Sequence, residues 1–178
     1  MVGELSVEPA DRFRAIYERQ VDAILGFTLR RMASATEAAD VTAETMLVAW
    51  RRLNDIPLDA GERLWLYRVA SNVMANAHRS EVRRHRLAER FAEELATSVA
   101  TLDARPEPAV LVALALNRLT AGDRELLRLS AWEELSPSEI ALVLDLPTAT
   151  VRTRLHRARE RVRGHLDDAS DNTTKEPR

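Results

Sequence analysis

The stretch from Leu135 to Val162, LSPSEIALVLDLPTATVRTRLHRARERV, constrains the fold most, because it holds two short helical patterns separated by an interruption that neither can cross. Ser136 suits a helix N-cap, Pro137 suits a first turn whose N–H needs no partner, and Glu139 stands where a capping-box carboxylate belongs. Ile140, Val143 and Leu144 give this first helix an apolar side. Asp145-Leu146-Pro147 ends it, since Pro cannot continue a helix and Asp tolerates turn geometry. A second helix therefore begins near Thr148, and Val151, Leu155, Ala158 and Val162, recurring at steps of four, three and four, form its buried face. Two helices joined by so tight a turn make a helix-turn-helix.

Arg152, Thr153, His156 and Arg157 fall on the opposite face, near the helix start, which is the part of a recognition helix that meets base edges in a major groove. Between Thr150 and Arg163 six Arg stand against Glu160 alone, a net of +5 in a chain whose total is −2. By itself an Arg-rich surface helix is more often solvated than functional. The capped partner helix, the turn and the polar outer face together favour DNA binding. Arg154 and Arg161 point to the flank of this face, where phosphates are the expected partners.

A chain of 178 residues, 46% of them hydrophobic, suffices for one large or two small cores. Cysteine is absent and the four His are scattered, so no metal site and no cofactor is expected. The N-terminus lacks a basic segment followed by an apolar run. The longest apolar stretch, Ala109 to Leu116, falls far short of the roughly 18 residues a span requires, so a soluble, cytoplasmic protein without membrane insertion is expected. Lys175 is the only Lys beside 25 Arg, which suits bidentate contacts to phosphates and bases and equally suits a GC-rich genome.

Helical periodicity runs through the rest, and no alternating strand pattern competes with it, so an all-α fold is expected. Phe13, Ile16, Tyr17, Ile24 and Phe27 mark a first amphipathic helix over about 11–32. Ser34 with Glu37 opens a second, carrying Val41, Thr45, Val48 and Ala49 to about Leu53. Pro57, Gly61 and two Asp make 54–61 a loop. The next helix buries Leu66, Val69, Ala70, Val73 and Ala77 and ends in a second cationic patch, with five Arg and two Glu between Arg79 and Arg90. Trp65 and Tyr67 at its head suit packing, while aromatics beside a basic helix also serve single-stranded nucleic acid. From Phe91 to Pro108 the periodicity weakens, acids outnumber bases and two prolines close the stretch, so this is a linker. An apolar helix over 109–119 and a Thr120-capped helix through Leu126, Leu127 and Trp132 then lead into the helix-turn-helix. The expected organisation is two small helical domains, 9–90 and 109–166, joined by a flexible linker over 91–108, with a disordered polar tail over 167–178.

Two basic helical domains around an acidic linker, with the readout helix last, resemble the RNA polymerase sigma factors of the extracytoplasmic-function group. EAADVTAETMLVAWRRL is similar to that family's polymerase-binding helix, and WLYRVASNVMANAHRSEVRR to its helix for the downstream promoter element. LTAGDRELLRLSAWEELSPSEIALVLDLPTATVRTRLHRARERV is similar to its reader of the upstream element. The resemblance spans about Asp11 to Leu166 and implies core RNA polymerase and promoter DNA as partners, with room for an anti-sigma protein. It implies that Asp40, Glu44 and Met46 touch polymerase. Asn54, Asp55, Trp65, Arg68, Asn72, Arg79 and Arg83 would engage the element near minus ten, and Arg152, Thr153, His156 and Arg157 the element near minus thirty-five. The sequence departs from the family pattern at Ala43, where Gln is usual, and at Asp145, where Gly is common.

The competing reading is a dimeric helix-turn-helix regulator that acts without polymerase on paired half-sites. The second basic patch and its aromatic loop stand against it. A helical enzyme lacks support, because no nucleophile–base order, Gly-rich phosphate loop or metal-ligand spacing is present.

Overall fold

A computed structural model describes residues 8–59, 61–89, 112 and 115–174, with side chains at 8–59, 61–77, 79, 112 and 115–167. The described elements are α1 (Pro9–Leu29), α2 (Ala35–Arg51), a 3-10 turn (Leu53–Asp55), α3 (Gly61–Glu89), α4 (Ala121–Ala131), α5 (Pro137–Leu144) and α6 (Thr148–Thr174). Among the described residues there is no strand, and no helix is long and apolar enough to cross a membrane. The chain divides into two compact units, one built on α1–α3 and the other around α4 and α6.

In the first unit each helix packs on the other two. Ile16, Ile24 and Phe27 of α1, Val41 and Ala49 of α2, and Leu66, Val69 and Ala70 of α3 are buried as the periodicity requires, whereas Tyr17 is largely exposed. Tyr67 joins this core, its ring stacked on Phe27 at 4.4 Å and 15°, while Trp65 stays half-buried. Three threonines are buried too. Thr28 and Thr42 share a hydrogen bond of 2.9 Å between hydroxyls, and Thr42 and Thr45 donate to the carbonyls of Ala38 and Val41 at 2.7 Å, so none of the three threonine hydroxyls costs an unmade bond. Ser34 caps α2 by accepting from the Glu37 N–H at 3.1 Å. The first helix stops at Leu29 rather than near Met32, and its last carbonyls take bonds from the N–H groups of Arg30, Arg31 and Met32.

Glu62 ties α1 to α3. Its carboxylate, 8% exposed, accepts from Gln20 Nε2 and from Arg19, each at 2.8 Å, while Gln20 Oε1 accepts from Arg63 Nε at 3.1 Å. A buried carboxylate with two donors is satisfied rather than stranded.

The second unit buries Leu126 and Leu129 of α4, Ile140 and Ala141 of α5, and Val151, Leu155 and Ala158 of α6. Thr120 caps α4 through the Asp123 N–H at 3.2 Å. Of the helix expected over 109–119, residues 112 and 115–117 are helical, and 109–111, 113 and 114 lie outside the described residues. The linker expected over 91–108 lies wholly outside them. The tail expected to be disordered from 167 instead continues α6 to Thr174. Once a helix is nucleated and packed, each further residue adds a hydrogen bond, and no Pro interrupts until Pro177. Residues 175–178 lie outside the described residues.

Candidate nucleic-acid interface

Local chemistry fixes the start of α6. Ser136 and Glu139 form a full capping box on α5: Ser136 Oγ accepts from the Glu139 N–H at 3.3 Å, and Glu139 Oε2 accepts from the Ser136 N–H at 2.8 Å. Bonds from the Ser136 side chain and backbone hold the Glu139 carboxyl below its ordinary value, against the opposing effect of burial. Asp145 then enters the left-handed region at φ 56° and ψ 48°, and the Leu146 N–H returns to the Ala141 carbonyl at 3.0 Å, closing α5 in the manner usual for Gly. Asp is among the few side chains that adopt this conformation at modest cost. Three residues later α6 begins.

All four residues expected to read bases, Arg152, Thr153, His156 and Arg157, are exposed. Thr153 Oγ1 donates to the Ala149 carbonyl at 3.0 Å, and His156 Nε2 lies 3.2 Å from Glu160 Oε1. Arg152 and Arg157 make no hydrogen bond or ion pair among the described residues, so both guanidinium groups are available to a ligand.

Arg154 and Arg161 flank the exposed face as expected, but both hold Asp123 of α4, Arg161 with its side chain still half-exposed. Arg154 donates to Asp123 Oδ1 through Nε at 3.1 Å and Nη2 at 2.9 Å, and Arg161 Nη1 donates to Oδ2 at 2.7 Å. Asp123 is 7% exposed. Burial by itself would raise its carboxyl, but hydrogen bonds from Arg154, Thr120 and Arg161, with the charge of Arg154, outweigh burial and hold it below the ordinary value. Arg159 is occupied too, donating to Ser130 Oγ at 2.9 Å.

On the first unit, Asp40 and Glu44 are exposed one turn apart on α2, with Arg51 3.9 Å from Glu44. Met46 is not beside them: it is 4% exposed and lies in the core. The reason is that α2 packs on both α1 and α3, so its buried arc is wide and takes in the position after Thr45. Leu47, 39% exposed, occupies the outer face with Ala43 instead. Sequence reasoning missed it, although its spacing from Asp40 and Glu44 could have shown it.

Asn54 and Asp55 sit in the 3-10 turn and are exposed, Asp55 accepting from Arg52 at 2.8 Å. The Arg52 guanidinium also stands 5.7 Å over the Trp65 ring. The loop is anchored at both ends. Arg12 donates to the Ile56 carbonyl at 2.8 Å, and Asp59 Oδ1 accepts from the Gly61 N–H at 2.9 Å, capping α3. Between these anchors Leu58 is 88% exposed, an apolar side chain held out at the loop tip. Its flanking Pro57 and Asp59 marked a turn, but nothing in the periodicity marked Leu58 as functional. Trp65, Arg68, Asn72 and Arg79 follow one stripe of α3 by helical spacing, and Arg68, Asn72 and Arg79 are exposed, with Arg79 donating to Asn76. The Arg83 side chain lies outside the described residues.

Residues 16–84 match the family model for Sigma-70 region 2, and residues 109–162 that for Sigma-70, region 4. The chain is 35% identical over 146 residues to the RNA polymerase sigma factor CnrH of Cupriavidus metallidurans, covering 76% of each chain. It is 31% identical over 170 residues to the ECF RNA polymerase sigma factor SigW of Bacillus subtilis, covering 89% of this chain and 90% of that one. Among solved structures, CnrH in complex with the cytosolic domain of CnrY superposes with a TM-score of 0.61 at 27% identity, covering 92% of each chain. Sigma factor RpoE in complex with the anti-sigma factor NepR from Bartonella quintana shares the fold with a TM-score of 0.67 at 19% identity, covering 87% of this chain and 96% of that one.

Proposed function

The chain belongs to the extracytoplasmic-function group of RNA polymerase sigma factors, initiation factors that bind core polymerase and direct it to promoters, and we propose which of its faces performs each step. Residues 109–166 form the upstream-element domain. Arg152 and Arg157, on neighbouring turns at the exposed start of α6, each offer a guanine the paired donors that match its O6 and N7. Thr153 and His156 lie between them and supplement the reading. The observation that carries this assignment is the pairing of exposure with an open donor set. Arg154, Arg159 and Arg161 of α6 are bonded within the unit, whereas Arg152, Arg157 and Arg163 are exposed and unbonded among the described residues, and of these Arg152 and Arg157 stand near the helix start.

Residues 9–90 form the polymerase-binding and downstream-element domain, and 91–108 connect the two. Asp40 and Glu44, with Leu47 in place of Met46, form the polymerase contact. Asn54, Asp55 and Leu58 border the place where an unstacked non-template base is held as the strands part, with the Trp65 ring at the head of α3. Arg68, Asn72, Arg79 and Arg83 follow the strand's backbone along α3. Since CnrH is solved with the cytosolic domain of CnrY, a protein partner of the anti-sigma kind belongs to this reading, as does a cytoplasmic site of action beside the polymerase.

The test is run-off transcription with purified core polymerase. Addition of the chain should give transcripts from one class of promoter, and Arg152→Ala should reduce them on the intact upstream element more than on an element changed at the contacted base pair. Equal loss on both templates would refute the assignment of the reading face.

A further inference from the structure

The positive charge of α6 is not all presented outward, and the device that withholds it is specific. Asp123, in the first turn of α4, accepts three hydrogen bonds from two arginines that lie 31 and 38 residues further along the chain. Gly122, beside it, makes room for one of them. A Cβ there would stand 2.7 Å from Arg154 Nη2, so a side chain at position 122 would force the Arg154 guanidinium to shift from its present place on the carboxylate. By helical spacing Arg161 and Arg154 adjoin Arg157 at the edge of the exposed face, where long guanidinium side chains released from Asp123 would reach DNA phosphates.

We propose that Asp123, with the space left by Gly122, is a specificity-determining element: it holds Arg154 and Arg161 off the phosphates, so that α6 meets duplex DNA chiefly through its base-reading side chains. The inference rests on α6 being the helix that faces the duplex. Phosphate contacts raise affinity for every sequence alike, whereas base contacts discriminate, so each sequestered cation lowers the non-specific background against which a promoter must be found. Asp123 is thus a positioning and charge-restraining residue, not a DNA contact.

The experiment uses holoenzyme assembled from the full chain and core polymerase, binding random-sequence duplex and a randomised upstream-element library over a range of salt concentrations. Gly122→Ala is the principal variant. It displaces Arg154 while keeping the carboxylate, and Ala is a better helix former than Gly, so α4 is retained. Its salt dependence, log K against log salt, should steepen by about 1, with tighter binding to random duplex and a flatter base preference in the library. Asp123→Asn should steepen it by up to about 2. Arg161→Gln, with Asp123 intact, should leave the wild-type slope unchanged, because Arg161 is not on a phosphate.

A purely structural role predicts the reverse for Gly122→Ala and Asp123→Asn: weaker binding to all sequences with no steepening. An unchanged slope in Gly122→Ala, or a slope shallower by about 1 in Arg161→Gln, overturns the proposal. Arg152→Ala in the same library separates the two readings. If it leaves base preference intact while Gly122→Ala still steepens the slope, the reading face is misassigned and the charge restraint stands.

Discussion

The substitution Glu62→Gln keeps the volume at this position and removes one charge, and the surrounding bonds dictate how the new amide must sit. Gln20 cannot turn round, because its Oε1 already accepts from Arg63 Nε at 3.1 Å, so its Nε2 continues to donate toward position 62. The oxygen of the new amide therefore faces Gln20, and the amide N–H groups are left facing the Arg19 guanidinium. Arg19, whose side chain is 56% exposed, then swings to solvent and the ion pair is lost. Discounted for that exposure, the pair contributes about 0.5–1 kcal/mol. The Gln20 bond survives but passes from a charged to a neutral acceptor, which costs about 1 kcal/mol more, since bonds to charged groups are worth roughly twice neutral ones. The sum, about 1.5–2 kcal/mol, should appear as faster hydrogen exchange at the amides of α1 and α3 and not at those of α4 or α6, measured peptide by peptide so that each unit reports separately. Glu62 is also the second residue of α3 and adjoins the Asp59 cap, so the loop carrying Leu58 loosens with it. Permanganate footprinting of promoter complexes should show reduced strand opening while holoenzyme still assembles. Unchanged protection of α1 and α3, within about 0.5 kcal/mol, would refute the argument that Glu62 is what joins them.

Reversing Asp40 and Glu44 to Lys together should weaken competition for core polymerase and leave the thermal midpoint nearly unchanged, because both are exposed and the helix keeps its own buried face; wild-type competition by the double variant would misplace this contact. Arg152→Ala and Arg157→Ala should each cost about 1–3 kcal/mol on the preferred upstream element and relax preference at one base pair, read from library enrichment by holoenzyme. Asp123 and Glu139 both have folded values below their ordinary ones, so the stability they add to the second unit is present above the unfolded values, about pH 4, and is lost as pH falls through the lowered folded ones. Protection factors of α4 and α6, corrected for the intrinsic exchange rate at each pH, should therefore fall on acidification below about pH 4, and Asp123→Asn should flatten that dependence; an unaltered profile in the variant would show that Asp123 does not carry it.

What sequence reading captured was decided by neighbours a few residues away. Ser136 and Glu139 cap each other across three positions, Asp145 turns the chain by its own backbone, and the exposed quartet of α6 follows from a 3.6-residue period that needs no knowledge of the rest of the molecule. The misses came from partners that are distant in the chain. Met46 is core because α2 is held between two helices instead of lying on one, and the same arrangement buries Thr28 and Thr42, whose polarity conceals them from any apolar pattern. Charge is the sharper case. Counted along the helix, six Arg against one Glu between 150 and 163 suggest a uniformly basic DNA-facing surface. Folded, Arg154 and Arg161 share the single negative charge of Asp123 on another helix, which lowers the net charge of this face by one, while Arg159 donates to Ser130 and keeps its charge. A partner 31 or 38 residues away leaves no periodic signal, yet it decides whether an arginine reads, holds a phosphate, or holds the protein together. In a basic recognition helix the residues that discriminate are therefore found by subtracting the arginines that the fold already uses, and that subtraction requires the structure.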